Sequence, residues 1–141
     1  MKNKTMYQKI RKNNPVANVI GIVLNTKKKI LLLKRVKPPY KNYWTLPGGA
    51  IEGNEKVESA MIREMHEETG LKVIIKALVG IHSGGNYEPR YPAFSIVFLL
   101  KAKNSKVIIN KESVEWKWFS LRKLPSKIGF GHKKWILLAL S

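Results

Sequence analysis

Gly49-Ala50-Ile51-Glu52-Gly53-Asn54-Glu55-Lys56-Val57-Glu58-Ser59-Ala60-Met61-Ile62-Arg63-Glu64-Met65-His66-Glu67-Glu68-Thr69-Gly70-Leu71 holds six of the nine acidic residues in a chain of 141. The same chain has 27 Lys and Arg, no Asp, and a formal charge of +18. Carboxylates gathered this tightly repel one another and raise each other's pKa. A bound cation removes the conflict, so the stretch reads as a metal site. Residues 56–69 lack Pro and Gly and are rich in good helix formers, which predicts a helix. Gly70 is placed to end it in a left-handed conformation, with Leu71 making the apolar contact that follows. Glu64 to Glu67 is i, i+3 and Glu64 to Glu68 is i, i+4, so all three carboxylates project from one arc. A solvated acidic face would interleave Lys, and positions 67, 68 and 71 carry none. Oxygen donors of this kind suit Mg²⁺ or Mn²⁺, whereas zinc wants His or Cys. Arg63, one step round the helix, is positioned to reach Glu55 or brace a neighbouring carboxylate.

These residues resemble a known family. Gly49, Glu55, Arg63, Glu64, Glu67, Glu68 and Gly70, with Leu71 behind and Leu46-Pro47-Gly48 ahead, are similar to the complete Nudix box. Seven identities at frequencies of about 7% arise by chance roughly once in 10⁸ starting positions. Nudix proteins hydrolyse a nucleoside diphosphate linked to another moiety, using Mg²⁺ (Mn²⁺ as a substitute) and an attacking water. The resemblance implies an α/β fold, the Nudix-type α/β/α sandwich with a mixed central sheet. It implies that Glu64, Glu67, Glu68 and the Gly48 carbonyl hold the metal. Glu64 or Glu67 would take the proton from water, and an Arg63–Glu55 pair would orient the helix against its loop. The chemistry agrees, because pyrophosphate hydrolysis needs phosphate charge screened and a nucleophile held in line.

The length predicts one domain, residues 15–141, behind a basic segment 1–14 that reads as partly disordered or a short edge element. No apolar run is long enough to span a membrane, and the N-terminal segment has no apolar core of a secretory signal. The chain has no Cys, so thiol catalysis and disulfides are excluded and a cytoplasmic enzyme is expected. The +18 charge favours polyanions and keeps nucleic acid open as a partner. Its even spread over runs such as Lys27-Lys28-Lys29 is equally that of a Lys-rich solvated surface. A small nucleoside diphosphate derivative is the favoured partner, and a homodimer is compatible with the sequence.

Around the acidic helix, Val16 to Leu24 and Lys29 to Val36 read as a β-hairpin turning at Asn25-Thr26-Lys27-Lys28. Lys37 to Asn42 is a loop, and Trp44 to Leu46 leads into Pro47-Gly48-Gly49. Strands are expected at Lys72 to Ile81, Ala93 to Ala102 and Trp116 to Phe119, with a closing helix from Phe130 to Leu140.

Three segments bear on substrate. Lys34-Arg35 with Pro38-Pro39-Tyr40, Glu88-Pro89-Arg90, and Phe130-Gly131-His132 are similar to the ADP-ribose pyrophosphatase-like branch of the family, which usually has Asp where Glu88 stands. Arg35 and Arg90 are the expected phosphate clamp, against the alternative of ordinary surface ion pairs. Tyr43 and Tyr40 are candidates for stacking on a base, while Trp44 and Trp118 read as packing. Glu115 is preferred over Glu112 as a further ligand or base from outside the box, against the equal alternative of a solvated strand start. His66 is expected in solvent, and His132 as a hydrogen-bonding residue at a helix start. Two other classes stand beside the ADP-ribose-like hydrolase: an RNA 5′-end pyrophosphohydrolase, and a non-catalytic nucleotide-binding Nudix module.

Overall fold

The computed structural model describes residues 14–141; the basic segment 1–13 lies outside the described residues. Seven strands and two helices follow in the order β1 (Val16–Leu24), β2 (Ile30–Arg35), β3 (Trp44–Thr45), β4 (Gly48–Ala50), α1 (Val57–Thr69), β5 (Val73–Ser83), β6 (Ala93–Ala102), β7 (Ser113–Phe119) and α2 (His132–Leu140). Asn25 turns the first hairpin by accepting hydrogen bonds from the amides of Lys27 and Lys29 on its Oδ1, at 3.0 and 2.9 Å. The two strands then separate after one pairing, Leu24 with Ile30. Beyond it β1 pairs antiparallel with β4 and parallel with β6, which pairs antiparallel with β5. Strand β2 pairs antiparallel with β3 and β7. The sheet is therefore mixed, and it opens where β1 and β2 diverge.

Both faces of the first hairpin are apolar, so both are covered. Val19, Val23, Leu31 and Leu33 pack with Ala60, Met61 and Met65 of α1. The alternate set, Ile20, Ile22, Ile30 and Leu32, packs with Trp135 and Ile136 of α2. This period-two division produces the expected α/β sandwich with a helix layer on each side. Full burial of Met61 and Met65, each 0% exposed, is worth roughly 1.5–3 kcal/mol apiece and fixes which face of α1 turns inward. Gly70 closes the helix at φ 71°, its N–H donating to the His66 carbonyl at 2.9 Å, and Leu71 is fully buried.

Two boundaries differ from expectation in ways that matter for the site. Strand β7 begins at Ser113, earlier than Trp116, because its pairing with β2 continues to Arg35 past a bulge. Helix α2 begins at His132, since Phe130 and Gly131 stand at φ 56° and 68° and cannot be helical.

Candidate active site

Arg63 is the hub of the acidic stretch. Its Nε and Nη2 make a bidentate pair with Glu55 at 3.0 and 2.6 Å, and Nη2 also donates to the Ala50 carbonyl at 2.9 Å. Nη1 donates to Glu64 at 2.9 Å and to Glu67 at 3.1 Å. Only a planar fork can hold a loop carboxylate, a strand carbonyl and two helix carboxylates together. Hydrogen bonding to Arg63 holds the Glu55 carboxyl below its usual range, helped by the Glu52 amide at 2.8 Å. Glu55 raises the guanidinium in return.

Strand β4 lies against this helix face because it has no side chains at its first two positions. A Cβ at Gly49 would overlap the Glu64 carboxylate, and one at Gly48 would overlap the Val19 carbonyl oxygen. Glu64 and Glu68 stand one turn apart on the same face of α1. Burial pushes both carboxyls up; Glu68 goes well above its usual range, with Glu64 and then Glu112 adding repulsion. Arg63 serves Glu64, whereas Glu68 has no ion-pair partner among the described residues. Two desolvated carboxyls, one without a cation and reached by the Gly48 backbone amide, make an oxygen donor pair that fits Mg²⁺ or Mn²⁺. No three such side chains already converge among the described residues, and Glu67 is turned toward Arg63.

Across a cleft of about 180 Å³, lined by Gly48, Gly49 and Glu68, stands a cationic wall. Phe130 is buried there with the Arg35 guanidinium 5.0 Å and the Arg90 guanidinium 5.9 Å from its ring centroid. Arg35 is tied by Nε to the Pro39 carbonyl at 2.7 Å, and burial followed by repulsion from Arg90 lowers its pKa. Glu88 is buried, 8% exposed, and grips Arg90 through Nε at 2.6 Å, Nη2 at 2.8 Å and the backbone amide at 3.0 Å. Burial alone would raise the Glu88 carboxyl, but these bonds hold it below the usual range. Arg35 and Arg90 are therefore drawn to one place, with buried Glu88 as the anchor that holds Arg90.

Other expected residues fall elsewhere. Tyr43 is not among the residues lining the cleft; its ring packs at 5.4 Å from Tyr40 and lies under Lys127. Trp44 packs edge-on to Phe119 at 5.0 Å and Trp118 packs against the α1-side core. The preference for Glu115 is corrected: β7 includes it as the cross-strand partner of Lys34, with an ion pair at 3.7 Å. Glu112, just before the strand, lines the cleft. His66 is exposed. His132 is buried and accepts a hydrogen bond from the Leu46 amide on Nδ1 at 3.0 Å. Burial, then His82 and Arg35, pushes its pKa down to about 3, so it is neutral. Phe130 was legible in the sequence only as part of the Phe130-Gly131-His132 segment, and its contact with both arginines was not.

Helix, glycine strand and cleft define a phosphoanhydride hydrolase of the Nudix class. The family profile described as NUDIX domain matches residues 14–139, and the chain belongs to this family. It is 40% identical over 121 residues to an ADP-ribose pyrophosphatase of Methanocaldococcus jannaschii, covering 86% of this chain and 70% of that one. It is 32% identical over 129 residues to an RNA pyrophosphohydrolase of Pelagibacter ubique, covering 79% and 81%. A MutT NUDIX hydrolase structure from Burkholderia pseudomallei superposes with a TM-score of 0.78 at 25% identity, covering 90% and 98%. The protein is thus a Nudix hydrolase, an enzyme and not a non-catalytic binding module. No helix among the described residues is long and apolar enough to cross a membrane, which says nothing of a β-barrel.

Proposed function

We propose that this enzyme is an Mg²⁺-dependent pyrophosphohydrolase, cytoplasmic in setting, that cleaves the phosphoanhydride of a nucleoside diphosphate linked to another moiety, with ADP-ribose as the model substrate. The observation that carries the reading is the opposition of Arg35 and Arg90 to Glu68 and Glu112 across one cleft. Guanidinium forks suit phosphate oxygens. Glu64, Glu67, Glu68 and the Gly48 carbonyl would hold the cation, which supplies charge screening and lowers the pKa of water. Glu112 lines the same cleft as Glu68 from outside the box and would take a proton from the attacking water, with Glu64 or Glu67 as the alternative base. Arg63 and Glu55 position the helix carboxylates. Arg35 and Arg90 orient the diphosphate, which contributes by holding the reacting atoms in line. Relatedness to the ADP-ribose pyrophosphatase supports the substrate.

Hydrolysis at RNA 5′ ends is the second reading, favoured by the +18 charge and the relative that is an RNA pyrophosphohydrolase. The test is a turnover panel of ADP-ribose, NADH, nucleoside triphosphates and 5′-triphosphate RNA, with Mg²⁺, with Mn²⁺ and with EDTA. ADP-ribose should be cleaved only with a divalent cation, and Glu68→Gln should lose at least about 100-fold in kcat, the low end of removing a charge-stabilising group. Turnover of RNA without ADP-ribose would replace the substrate, and turnover in EDTA would remove the metal.

A further inference from the structure

Residues 84–92 wall two cavities at once. One is the cleft of about 180 Å³ that holds the carboxylates and the arginine pair. Beyond it lies a cavity of about 990 Å³ between the start of β1 and the facing ends of β5 and β6. Tyr87, Glu88, Arg90 and Tyr91 line both, so the two spaces meet at the Glu88–Arg90 pair. Pockets that enclose drug-sized ligands are about 300–1,000 Å³. The cleft is large enough for phosphoryl groups and too small for the rest of a nucleoside diphosphate derivative. The second cavity is within the range.

The linings also differ in chemistry. Ile81, Tyr91, Phe94 and three prolines furnish the larger cavity, and its two charged residues neutralise each other. Ile81 is 60% exposed although it sits in a strand. Phe94 stands opposite Ala17 of β1 and Ser83 of β5, at the end of the sheet. Gly84, Gly85 and Asn86 have φ of 70°, 71° and 56°, and a Cβ at either glycine would meet nothing within 4 Å, so this exposed turn forms an open rim of the cavity. An apolar space with aromatic walls, continuous with a phosphate clamp, suits a flat π-system carried on a phosphate.

We propose that this cavity is the nucleoside subsite: the base lies against Tyr91 and Phe94, and Arg90 marks the junction between nucleoside and diphosphate. The second moiety then lies on the Arg35 side. This rests on the substrate class proposed above and deepens it by assigning the two halves to two places. The experiment titrates AMP and ribose 5-phosphate separately, by calorimetry with Mg²⁺, into the whole protein, Tyr91→Ala and Phe94→Ala. AMP should weaken about tenfold in each variant, as for loss of one base-stacking partner, while ribose 5-phosphate stays within twofold and shows that the clamp is intact. Unchanged AMP affinity in both variants, equal weakening of both ligands, or no AMP binding by the parent protein would overturn the subsite. ADP-ribose turnover by the same proteins reads the substrate separately. A parent protein that binds AMP through Tyr91 and Phe94 yet leaves ADP-ribose intact would support the subsite and remove the substrate.

Discussion

Phe130 is held at φ 56°, where a bulky side chain is rarely found and the backbone is strained by roughly 1–3 kcal/mol. What offsets the strain is its ring, whose centroid lies 4.7 Å from that of Tyr40 and within 6 Å of both the Arg35 and the Arg90 guanidinium. The face of an aromatic ring attracts each cation, which offsets part of their mutual repulsion. Phe130→Leu keeps the bulk and removes that attraction, so KM for ADP-ribose should rise several-fold with kcat nearly unchanged, whereas Phe130→Tyr should behave as wild type. Equal KM values for all three proteins would make the ring mere packing. Glu112 and Glu115 offer a second comparison between near neighbours. Loss of a general base costs about 10²–10⁴ in rate. Glu112→Gln should fall in that range, and Glu115→Gln, which breaks only an exposed pair with Lys34, should stay within twofold of wild type. Similar kcat values for the two variants would dismiss Glu112 as the base.

At the scale of elements, α2 begins on a buried neutral histidine that also secures the strand leading into Gly48. His132 has a folded pKa of about 3 against about 6.5 when unfolded. Between those values the unfolded chain binds a proton that the folded chain refuses, so stability rises with pH through the window and is fully present above about 6.5. Acidifying from pH 7 to pH 5 should therefore cost about 2 kcal/mol from this residue alone. Urea midpoints at the two pH values should differ clearly for wild type and much less for His132→Gln. A parallel drop in both proteins would assign the acid sensitivity to another group. Helix α1 shows the opposite design, since its charges are kept where they repel and Arg63 is left to settle them.

For the whole molecule, 27 cationic residues against nine acidic ones create a field that draws polyanions. Six of those nine lie in or beside the α1 stretch, so the surface elsewhere is strongly positive. A field of this kind acts on encounter, and salt screens it over a Debye length of about 8 Å at physiological ionic strength. For ADP-ribose, kcat/KM should fall as salt rises while kcat holds. A flat salt response would mean that the Lys-rich surface takes no part in substrate capture. A steep one for RNA, together with RNA turnover, would make that surface a recognition face.

The sequence alone determined whatever depends on neighbours along the chain. The spacing of Glu64, Glu67 and Glu68, the stop at Gly70 and the two-faced apolar alternation of β1 and β2 are local periodicities, and they specified helix, hairpin and family. The reach of Arg63 to Glu55 was legible for the same reason. Only the tertiary structure decided which groups meet across the cleft. Whether Glu112 or Glu115 faces it turned on the register of β7 against β2, and a register is set by pairing between distant strands. Removal of Tyr43 from the cleft, the anchoring of Arg90 by buried Glu88, and the meeting of Phe130 with two arginines follow from loops that converge in space. No pattern of nearest neighbours encodes such a convergence, because it depends on how the sheet opens after Leu24 pairs with Ile30.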